Sequence, residues 1–479
     1  MVPNRIERIQ DGIPRLPSGK LNRGALPKTT DGAPISITAP RTGREKSVAE
    51  CWAKVLDVPT AQIGLESNFF ELGGDSLLLI SLVCELEAKG LFVEVHELFD
   101  NPTVAGSLPF LQQEQEYSSN QSPVIGSYPA LARHRKLFAD GFAHPAHWNR
   151  CILIDFHRLL DQDALQEAAN AVSAHHDGLR LSFHEQNGDI SFRFHPPGAM
   201  ETTLSYLDLS ALPAEVREKK KYGLLNELNE SFDLAKPPLI KVAMIDDERR
   251  STVALIVHHL LIDMRSCQVL LEDLLSSYQA AISHRSVRLP RKTSSLAEWT
   301  EALHAHIDQQ WKQEELSYWQ HELAGVSQCL PEGKALPDSY CAVDADQRTS
   351  ALAVGKDVTE RLVRGVAPRL DVGMQDIVLA AFAAAFRRWA GLNELVLNTC
   401  GVGRDKLFDD INLTRTVGEL NTVYPLRISL EADNLLTTVA VKLREVPARG
   451  LHYGMLRYIA AHHELADAPE PEVFFNYVS

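Results

Sequence analysis

A glycine pair and one serine stand at the centre of the stretch Asn68-Phe69-Phe70-Glu71-Leu72-Gly73-Gly74-Asp75-Ser76-Leu77-Leu78. Apolar residues continue beyond the serine and predict a helix that begins near Ser76. Two glycines permit a tight turn, and Asp75 or Ser76 can cap the helix. A phosphodiester on Ser76 would meet free backbone N–H groups and the positive end of the helix dipole. Alone, an Asp-Ser-Leu sequence is more often an ordinary helix cap, so the surrounding sequence decides.

The surrounding residues, from about 44 to 111, resemble the peptidyl carrier domains of nonribosomal peptide synthetases. The match includes Val48-Ala49-Glu50-Cys51-Trp52-Ala53-Lys54-Val55-Leu56 and Leu98-Phe99-Asp100-Asn101-Pro102-Thr103-Val104. The resemblance implies an all-α four-helix carrier domain at 41–112. It also implies that Ser76 carries 4'-phosphopantetheine in a cofactor-binding site with Asp75 and Leu77. Asp75 before the serine is typical of carriers that precede an epimerization domain.

Length and composition narrow the function classes. At 479 residues the chain is too long for one ordinary core, so about two or three domains are expected. Hydrophobic content of 45% and charged content of 23% are typical of globular proteins. The net charge of −15 argues against a nucleic-acid partner, and no apolar run reaches transmembrane length. Seven irregularly spaced cysteines indicate free thiols and predict a cytoplasmic protein.

The first forty residues contain Ile13-Pro14-Arg15-Leu16-Pro17-Ser18-Gly19-Lys20-Leu21-Asn22-Arg23, which resembles the last core motif of an adenylation domain. In that family the lysine at the position of Lys20 reaches the acyl-adenylate. Because the rest of such a domain does not precede it here, we assign Lys20 no function. We interpret 1–40 as an adenylation-domain tail and linker, cut from a longer chain. A polar segment at 113–127 predicts a second linker.

From residue 128 onward the pattern alternates between strands and helices, which indicates α/β layers in two halves. Strands are predicted at 151–156, 179–183, 252–262, 394–399 and 423–430, and helices at 163–175, 267–280, 314–323 and 375–389.

A histidine pair ends the most apolar of these strands, in Val257-His258-His259-Leu260-Leu261-Ile262-Asp263. Adjacent side chains of a strand point to opposite faces, so His258 and His259 are not expected to bind one ligand together. That disfavours a metal site, and we predict none. An imidazole can move a proton in either direction near neutral pH. From these residues alone, a structural role for the pair is favoured over a catalytic one, because polar residues at strand ends are common.

The His-His-x-x-x-Asp pattern is similar to the active-site motif of the condensation-domain superfamily. The likeness extends from about 128 to 479 and includes His175-His176-Asp177-Gly178-Leu179-Arg180, Arg415-Thr416-Val417-Gly418 and Phe475-Asn476-Tyr477. It implies a chloramphenicol-acetyltransferase-like α/β (α+β) fold with two lobes, about 128–295 and 296–479, the second lobe being truncated.

The same resemblance implies roles for individual residues. His259, next to His258, would be the acid/base group, and Asp263 would be structural, paired with an arginine such as Arg415. Pantetheine arms would enter from either side of the lobe junction. Asn476 and Tyr477, in the C-terminal motif, are further candidate site residues.

Within the superfamily the chain is most similar to epimerization domains, through His147-Trp148-Asn149 and Val446-Pro447-Ala448-Arg449-Gly450-Leu451-His452-Tyr453-Gly454. Those domains oppose the histidine with a glutamate in a Glu-Gly-His-Gly-Arg-Glu motif, because inversion at Cα needs proton transfer on two faces. The aligned residues here are Cys400-Gly401-Val402-Gly403-Arg404-Asp405. Met264 and Cys267 also depart from the pattern, and Gly418-Glu419-Leu420-Asn421-Thr422 replaces Gly-Trp-Phe-Thr-Ser. A thiol with an ordinary pKa near 8.5 is mostly protonated at neutral pH.

Three functions follow for the C-terminal domain. We favour an interface without two-base epimerase chemistry that docks a tailoring enzyme, similar to the interface domains of siderophore synthetases that recruit β-hydroxylases. The alternatives are a condensation domain that uses His259, and an unusual epimerase that uses His259 and Cys400. The expected partners are an upstream adenylation domain, a phosphopantetheinyl transferase, downstream synthetase modules and a tailoring hydroxylase.

Overall fold

The computed structural model of the chain describes residues 38–74, 76–87, 89–93, 97–98, 101–113, 119–199, 202–307, 311–325, 330, 349–370, 372–405 and 407–477. The chain divides into two compact units, Met1–Glu116 and Tyr117–Ser479. The adenylation-like motif with Lys20, and also Asp75, lie outside the described residues. No helix in the described ranges is long and apolar enough to span a membrane.

The first unit is built mainly from helices around one apolar core. Its helices are Gly43–Leu56, Ser76–Glu87 and Val104–Ser107, with 3-10 turns at Thr60–Gln62 and Leu108–Phe110 and an antiparallel pair of short strands, Leu91–Phe92 and Gln112–Gln113. Thr42 and Glu45 form a capping box that begins the first helix. The fully buried Trp52 ring packs edge-to-face on Phe69, with centroids 5.2 Å apart. This contact joins the first helix to the segment that leads to the serine.

The glycine pair before the serine is required by the backbone. Gly73 has a φ of +97°, a conformation that a residue with a Cβ rarely adopts. A Cβ on Gly74 would collide with the ring of Phe69. The chain therefore turns tightly against Phe69 and begins the helix Ser76–Glu87, whose start at the serine was predicted.

The second unit contains three sheets among its described residues. One has four strands in the order Asn149–Phe156, Arg250–His258, Ile240–Asp247 and Leu204–Asp208. Another has three, in the order Gly126–Pro129, Asp189–Phe194 and Leu181–Gln186. The third consists of Thr422–Ser429, antiparallel to Glu394–Gly401, which in turn pairs in parallel with Val473–Phe475.

Helices surround these sheets. The α-helices are Ala132–Ala139, Gln162–His175, Ala214–Glu230, Met264–Ile282, Leu296–His306, Trp311–Leu323, Lys356–Arg361, Ala367–Leu370, Met374–Ala390, Leu435–Glu445, Leu451–Gly454 and His463–Ala466. Shorter 3-10 turns lie at Pro145–His147, Asp177–Arg180, His259–Leu261 and Pro447–Gly450, and π-turns at Leu362–Val366 and Met455–Ile459. The long helices were predicted to within about three residues at most ends, an ordinary discrepancy for helix termini.

One predicted strand ends earlier than expected. The strand predicted at 252–262 stops at His258, and His259–Leu261 forms a 3-10 turn. The reason is local, because the His258 imidazole Nδ1 accepts a hydrogen bond from the Leu260 N–H at 3.2 Å and caps the turn.

Two sheet registers position the candidate site. In the four-stranded sheet His258 pairs with Asn149, and the next N–H, of His259, donates to the Trp148 carbonyl at 2.9 Å. In the mixed sheet Cys400 pairs with Val423 and Gly401 with Thr422, which places the segment before Thr422 beside Cys400.

Candidate active site

The two histidines of the motif have different environments, as the pattern predicted. His258 is fully buried, and its Nε2–H donates to the Pro145 carbonyl at 2.9 Å while Nδ1 accepts from Leu260. Both ring nitrogens are thus occupied by the backbone. Burial lowers the pKa of His258 to about 4, so the ring is neutral and structural at physiological pH.

His259 belongs to a closed ring of four side chains. Its imidazole stacks on the Trp148 indole, with centroids 4.1 Å apart and planes 13° apart. Its Nδ1 lies 3.0 Å from Oε2 of Glu419, and Oε1 of that carboxylate lies 3.5 Å from Nε of Arg133. The guanidinium of Arg133 lies over the Trp148 ring at 4.9 Å and completes the ring of contacts.

The polar atoms of this ring are buried but poorly aligned for hydrogen bonding. Arg133 Nε, His259 Nδ1 and both carboxylate oxygens of Glu419 have no aligned hydrogen-bond partner among the described residues, although the ion-pair distances are short. Glu419 is fully buried. The four side chains are therefore in close contact without aligned hydrogen bonds, which is unusual for buried polar atoms.

Asp263 anchors the site, through a partner other than the expected one. Its carboxylate accepts hydrogen bonds from Nε and Nη2 of Arg404, both at 2.8 Å, and from the Ser266 N–H at 2.7 Å, which caps the helix Met264–Ile282. The expected pairing with Arg415 is wrong: Arg415 donates to Asp273 at 2.6 Å. Arg404 reaches Asp263 because the antiparallel strands 394–401 and 422–429 bring the 403–404 turn back toward the helix.

Ser266 connects this anchor to Glu419. Its hydroxyl accepts a hydrogen bond from Nη2 of Arg404 at 3.0 Å and lies 3.0 Å from the Gly418 carbonyl and 3.1 Å from the Gly418 N–H. Gly403 supports the same arrangement, because its φ is +66° and a Cβ there would collide with the Leu420 carbonyl. The backbone on either side of Glu419 is thereby fixed.

Cys400, aligned with the glutamate of epimerization domains, is half-buried near the end of its strand. Burial raises the pKa of its thiol to about 11; Arg133 lowers this pKa and Glu419 raises it, both by smaller amounts. The thiol is therefore almost fully protonated at neutral pH. Met264 and Val402, the other departures from the family pattern, are 52% and 64% exposed.

The C-terminal candidates lie next to Cys400 in the sheet. Thr399 pairs with Phe475, so Asn476 follows at the level of Cys400. Asn476 is exposed and Tyr477 is half-buried.

An open cleft of about 470 Å³ lies on the other side of Glu419. Apolar side chains form most of its wall, with Arg133 and Lys136 as its basic residues; the apolar set includes Leu131, Trp299, Leu303, Leu420, Leu451 and Met455. Glu419 and Asn421 also line this cleft, so the residue that contacts His259 borders a space that could hold part of a substrate.

Sequence reasoning missed Arg133, Arg404 and Glu419 as members of the site. The signal for Glu419 was available, since a glutamate occupies a position where epimerization domains have tryptophan, ahead of the apolar strand Thr422–Ser429. Arg133 carried no comparable signal, because it lies at the start of an otherwise basic helix.

The backbone at the carrier serine fits a phosphopantetheine group. A helix of 12 residues begins at Ser76, and the positive end of its dipole favours an anion at this position. Leu77 follows within the same helix.

Comparison with known proteins agrees with this organisation. The condensation-domain family model matches residues 131–478, and the model of the phosphopantetheine attachment site matches residues 46–106. One of the linear gramicidin synthase proteins of Brevibacillus parabrevis is 32% identical over 100% of this chain and 9% of that protein. Surfactin synthase subunit 2 of Bacillus subtilis (strain 168) is 28% identical over 97% of this chain and 13% of that protein. The chain thus spans only about a tenth of the length of these relatives.

Solved structures show the same fold. The epimerization domain from the third module of tyrocidine synthetase B has a TM-score of 0.67 and 27% identity, covering 75% of this chain and 83% of that chain. The X-domain from teicoplanin biosynthesis has a TM-score of 0.59 and 21% identity, covering 71% and 74%. The predicted chloramphenicol-acetyltransferase-like fold of mixed α/β content is confirmed. The chain therefore belongs to the condensation-domain family, and ahead of that domain it carries a carrier domain whose prosthetic group is 4'-phosphopantetheine.

Proposed function

We propose that the chain is part of a cytoplasmic nonribosomal peptide synthetase in which Ser76 tethers an aminoacyl or peptidyl thioester through phosphopantetheine. In this proposal the C-terminal domain does not invert the tethered amino acid. It serves instead as an interface for a tailoring enzyme, such as a β-hydroxylase, that acts on that amino acid. An upstream adenylation domain, a phosphopantetheinyl transferase and downstream modules complete the set of partners.

The observation that carries this proposal is the state of Cys400. Inversion at Cα requires a base on one face of the substrate and an acid on the other. Opposite His259, epimerization domains have a carboxylate, whereas this chain has a thiol whose pKa burial raises to about 11. A thiol that stays protonated cannot act as the second base at neutral pH. The structural residues Asp263 and Arg404 remain paired, which is what an interface needs from the fold.

The proposal is tested by loading the full chain. A phosphopantetheinyl transferase and L-aminoacyl-coenzyme A would attach each of a panel of L-amino acids to Ser76, in heavy water. Chiral chromatography of the released amino acid should find only the L form. Mass spectrometry should show deuterium incorporation no faster than in a His259→Ala chain. A carrier–epimerization didomain of tyrocidine synthetase B is the positive control. Formation of D-amino acid that either His259→Ala or Cys400→Ala abolishes would establish a cysteine-using epimerase instead.

Docking is tested separately. A β-hydroxylase encoded beside the synthetase gene should co-elute with the loaded chain in size-exclusion chromatography and hydroxylate the tethered amino acid. If the hydroxylase neither binds the chain nor hydroxylates the amino acid, the interface role is refuted. If the amino acid also keeps its L configuration, the absence of epimerization still holds.

Peptide-bond formation is a second candidate, favoured by the contact between His259 and the buried Glu419. One positioned base is sufficient to deprotonate an acceptor amine, because that reaction occurs on one side of the substrate. An acceptor aminoacyl carrier protein incubated with a donor-loaded chain distinguishes the two: a dipeptidyl product, absent with His259→Ala, would favour condensation.

A further inference from the structure

The carboxylate that is absent at position 400 has a counterpart at position 419. Glu419 precedes the strand that pairs with the strand of Cys400, and its Oε2 lies 3.0 Å from Nδ1 of His259. The side chain is fully buried in the free protein, although the residue borders the cleft. Its short contact with His259 is the route by which Glu419 can act on proton transfer.

A purely structural role explains this carboxylate poorly. Other buried carboxylates are well satisfied: Asp263 accepts two aligned hydrogen bonds from Arg404. The fully buried Glu322 accepts from Nζ of Lys442 at 2.6 Å and from the Arg427 N–H at 2.8 Å. Both oxygens of Glu419 lack an aligned donor among the described residues. Hydrogen bonds of catalytic groups are often poorly aligned without substrate and tighten when it binds. A structural carboxylate has no such reason to remain unsatisfied.

The neighbours of His259 limit what the ring can do. Trp148 stacks on its face and fixes the ring plane. The Nε atom of Arg133 lies 3.5 Å from the other oxygen of Glu419 and places a positive charge beside that carboxyl group. Because Nδ1 lies 3.0 Å from a carboxylate oxygen, the ring is expected to carry its proton on Nδ1 and to leave the lone pair on Nε2.

We propose that Glu419 is a positioning residue for His259. It holds the neutral imidazole in the Nδ1–H tautomer, so that Nε2 is the nitrogen that takes a proton from a bound substrate. When Nε2 accepts that proton, the electron pair of the broken bond stays on the substrate atom. The positive charge of the imidazolium is balanced by Glu419. This assigns a role to a residue that epimerization domains, with tryptophan at this position, do not have.

The inference also places both groups on one side of the substrate. A carboxylate in contact with His259 cannot act from the opposite face, so the site has one base and supports one-sided proton transfer. It rests on the second candidate function, in which the proton comes from an acceptor amine, and does not depend on whether a tailoring enzyme binds the domain.

Nitrogen NMR of the full chain tests the proposal. The protein would be labelled at the ring nitrogens of its 18 histidines, and the His259 signals would be identified by their loss in His259→Ala. In the wild-type chain, neutral His259 should show the Nδ1–H tautomer. Glu419→Leu, which removes the acceptor, should shift the ring toward the Nε2–H tautomer. Glu419→Gln retains an acceptor oxygen and should keep the wild-type tautomer.

Glu315→Leu is the matched control, since it removes a half-buried carboxylate that lies 2.7 Å from Nδ1 of another buried histidine, His452. It should leave the His259 signals unchanged. A neutral His259 protonated on Nε2 in the wild-type chain would overturn the proposal, and that measurement needs no variant of Glu419 to fold. An unchanged tautomer in a folded Glu419→Leu chain would overturn it as well.

Discussion

The guanidinium of Arg404 donates two hydrogen bonds of 2.8 Å to the carboxylate of Asp263, although the two residues are 141 positions apart in the sequence. Both side chains are at least nine-tenths buried. The contact joins the motif that contains the histidine pair to the motif that contains Cys400. In this domain the two motifs are therefore held together by a charge-assisted, two-point interaction.

Asp263→Ala is expected to destabilise the second unit strongly. Removing one partner of a buried ion pair leaves the other charge uncompensated, at a cost of about 3–5 kcal/mol. The substitution also removes the cap at the Ser266 N–H. Thermal unfolding should show a clear fall in melting temperature, larger than that of His259→Ala, whose contact with Glu419 is unaligned. Equal melting temperatures of Asp263→Ala and the wild-type chain would contradict a structural role.

Ser76 is expected to be the sole phosphopantetheine attachment site. The helix that begins at Ser76 directs the positive end of its dipole toward a phosphate on that serine. Incubation with a phosphopantetheinyl transferase and coenzyme A should add one arm per chain by intact mass spectrometry, and Ser76→Ala should add none. Ser67→Ala, a substitution in the same domain, should leave the reaction intact. An arm found on the Ser76→Ala chain would refute the assignment.

Stability is expected to fall in mild acid, partly because of His258. Its pKa is lowered from 6.5 to about 4 by burial, so the unfolded chain binds a proton more readily than the folded one. The contribution is complete above pH 6.5 and is lost as pH falls toward 4. Protonation of Nδ1 would also break the hydrogen bond from Leu260. The urea midpoint should therefore decrease from pH 7 to pH 5.

His258→Asn isolates that contribution, since an amide oxygen can cap Leu260 at any pH. Its urea midpoint should depend less on pH than that of the wild-type chain. His157→Asn, at an exposed position, should keep the wild-type dependence. Parallel curves for the His258→Asn and wild-type chains would rule out His258 as a source of acid sensitivity.

Cys400 is expected to resist alkylation at neutral pH. With a thiol pKa of about 11, only about 0.1% of the group is thiolate at pH 8. Iodoacetamide labelling of the Cys400 peptide, followed by mass spectrometry, should be slow at pH 7 and accelerate up to pH 10. In urea the same peptide should react faster at every pH. Rapid labelling of the native chain at pH 7 would show that the Cys400 thiol has a low pKa. It would then support the hypothesis that Cys400 acts as the second base of an epimerase.

Most of the helices and strands could be predicted from local sequence patterns. The helix Gln162–His175 shows apolar residues at helical spacing after a capping Asp161, and the turn before Ser76 follows from its two glycines. These features depend on neighbours within a few residues. The roles of Ser76 and of the histidine pair, in contrast, were inferred from a resemblance to known families that extends over whole domains.

The side-chain contacts of the candidate active site were harder to predict from the sequence. Whether Arg404 or Arg415 reaches Asp263 depends on the strand register and the turn at Gly403, which join residues more than a hundred positions apart. Similarly, Glu419 is in sequence only an unexpected residue near an apolar strand. Its position beside His259 results from two sheets and the Ser266 link, none of which has a local sequence pattern.

The glycines around Glu419 limit which positions of this domain can be redesigned. A Cβ on Gly178 would collide with the Val417 carbonyl, and one on Gly403 with the Leu420 carbonyl, so a single rigid backbone path is held from two directions. Side chains at 400 and 402 meet no such restriction, since Cys400 is half-buried and Val402 is exposed. A directed-evolution library that varies 400, 402 and 419 while keeping the glycines would sample new proton-transfer chemistry on an unchanged scaffold.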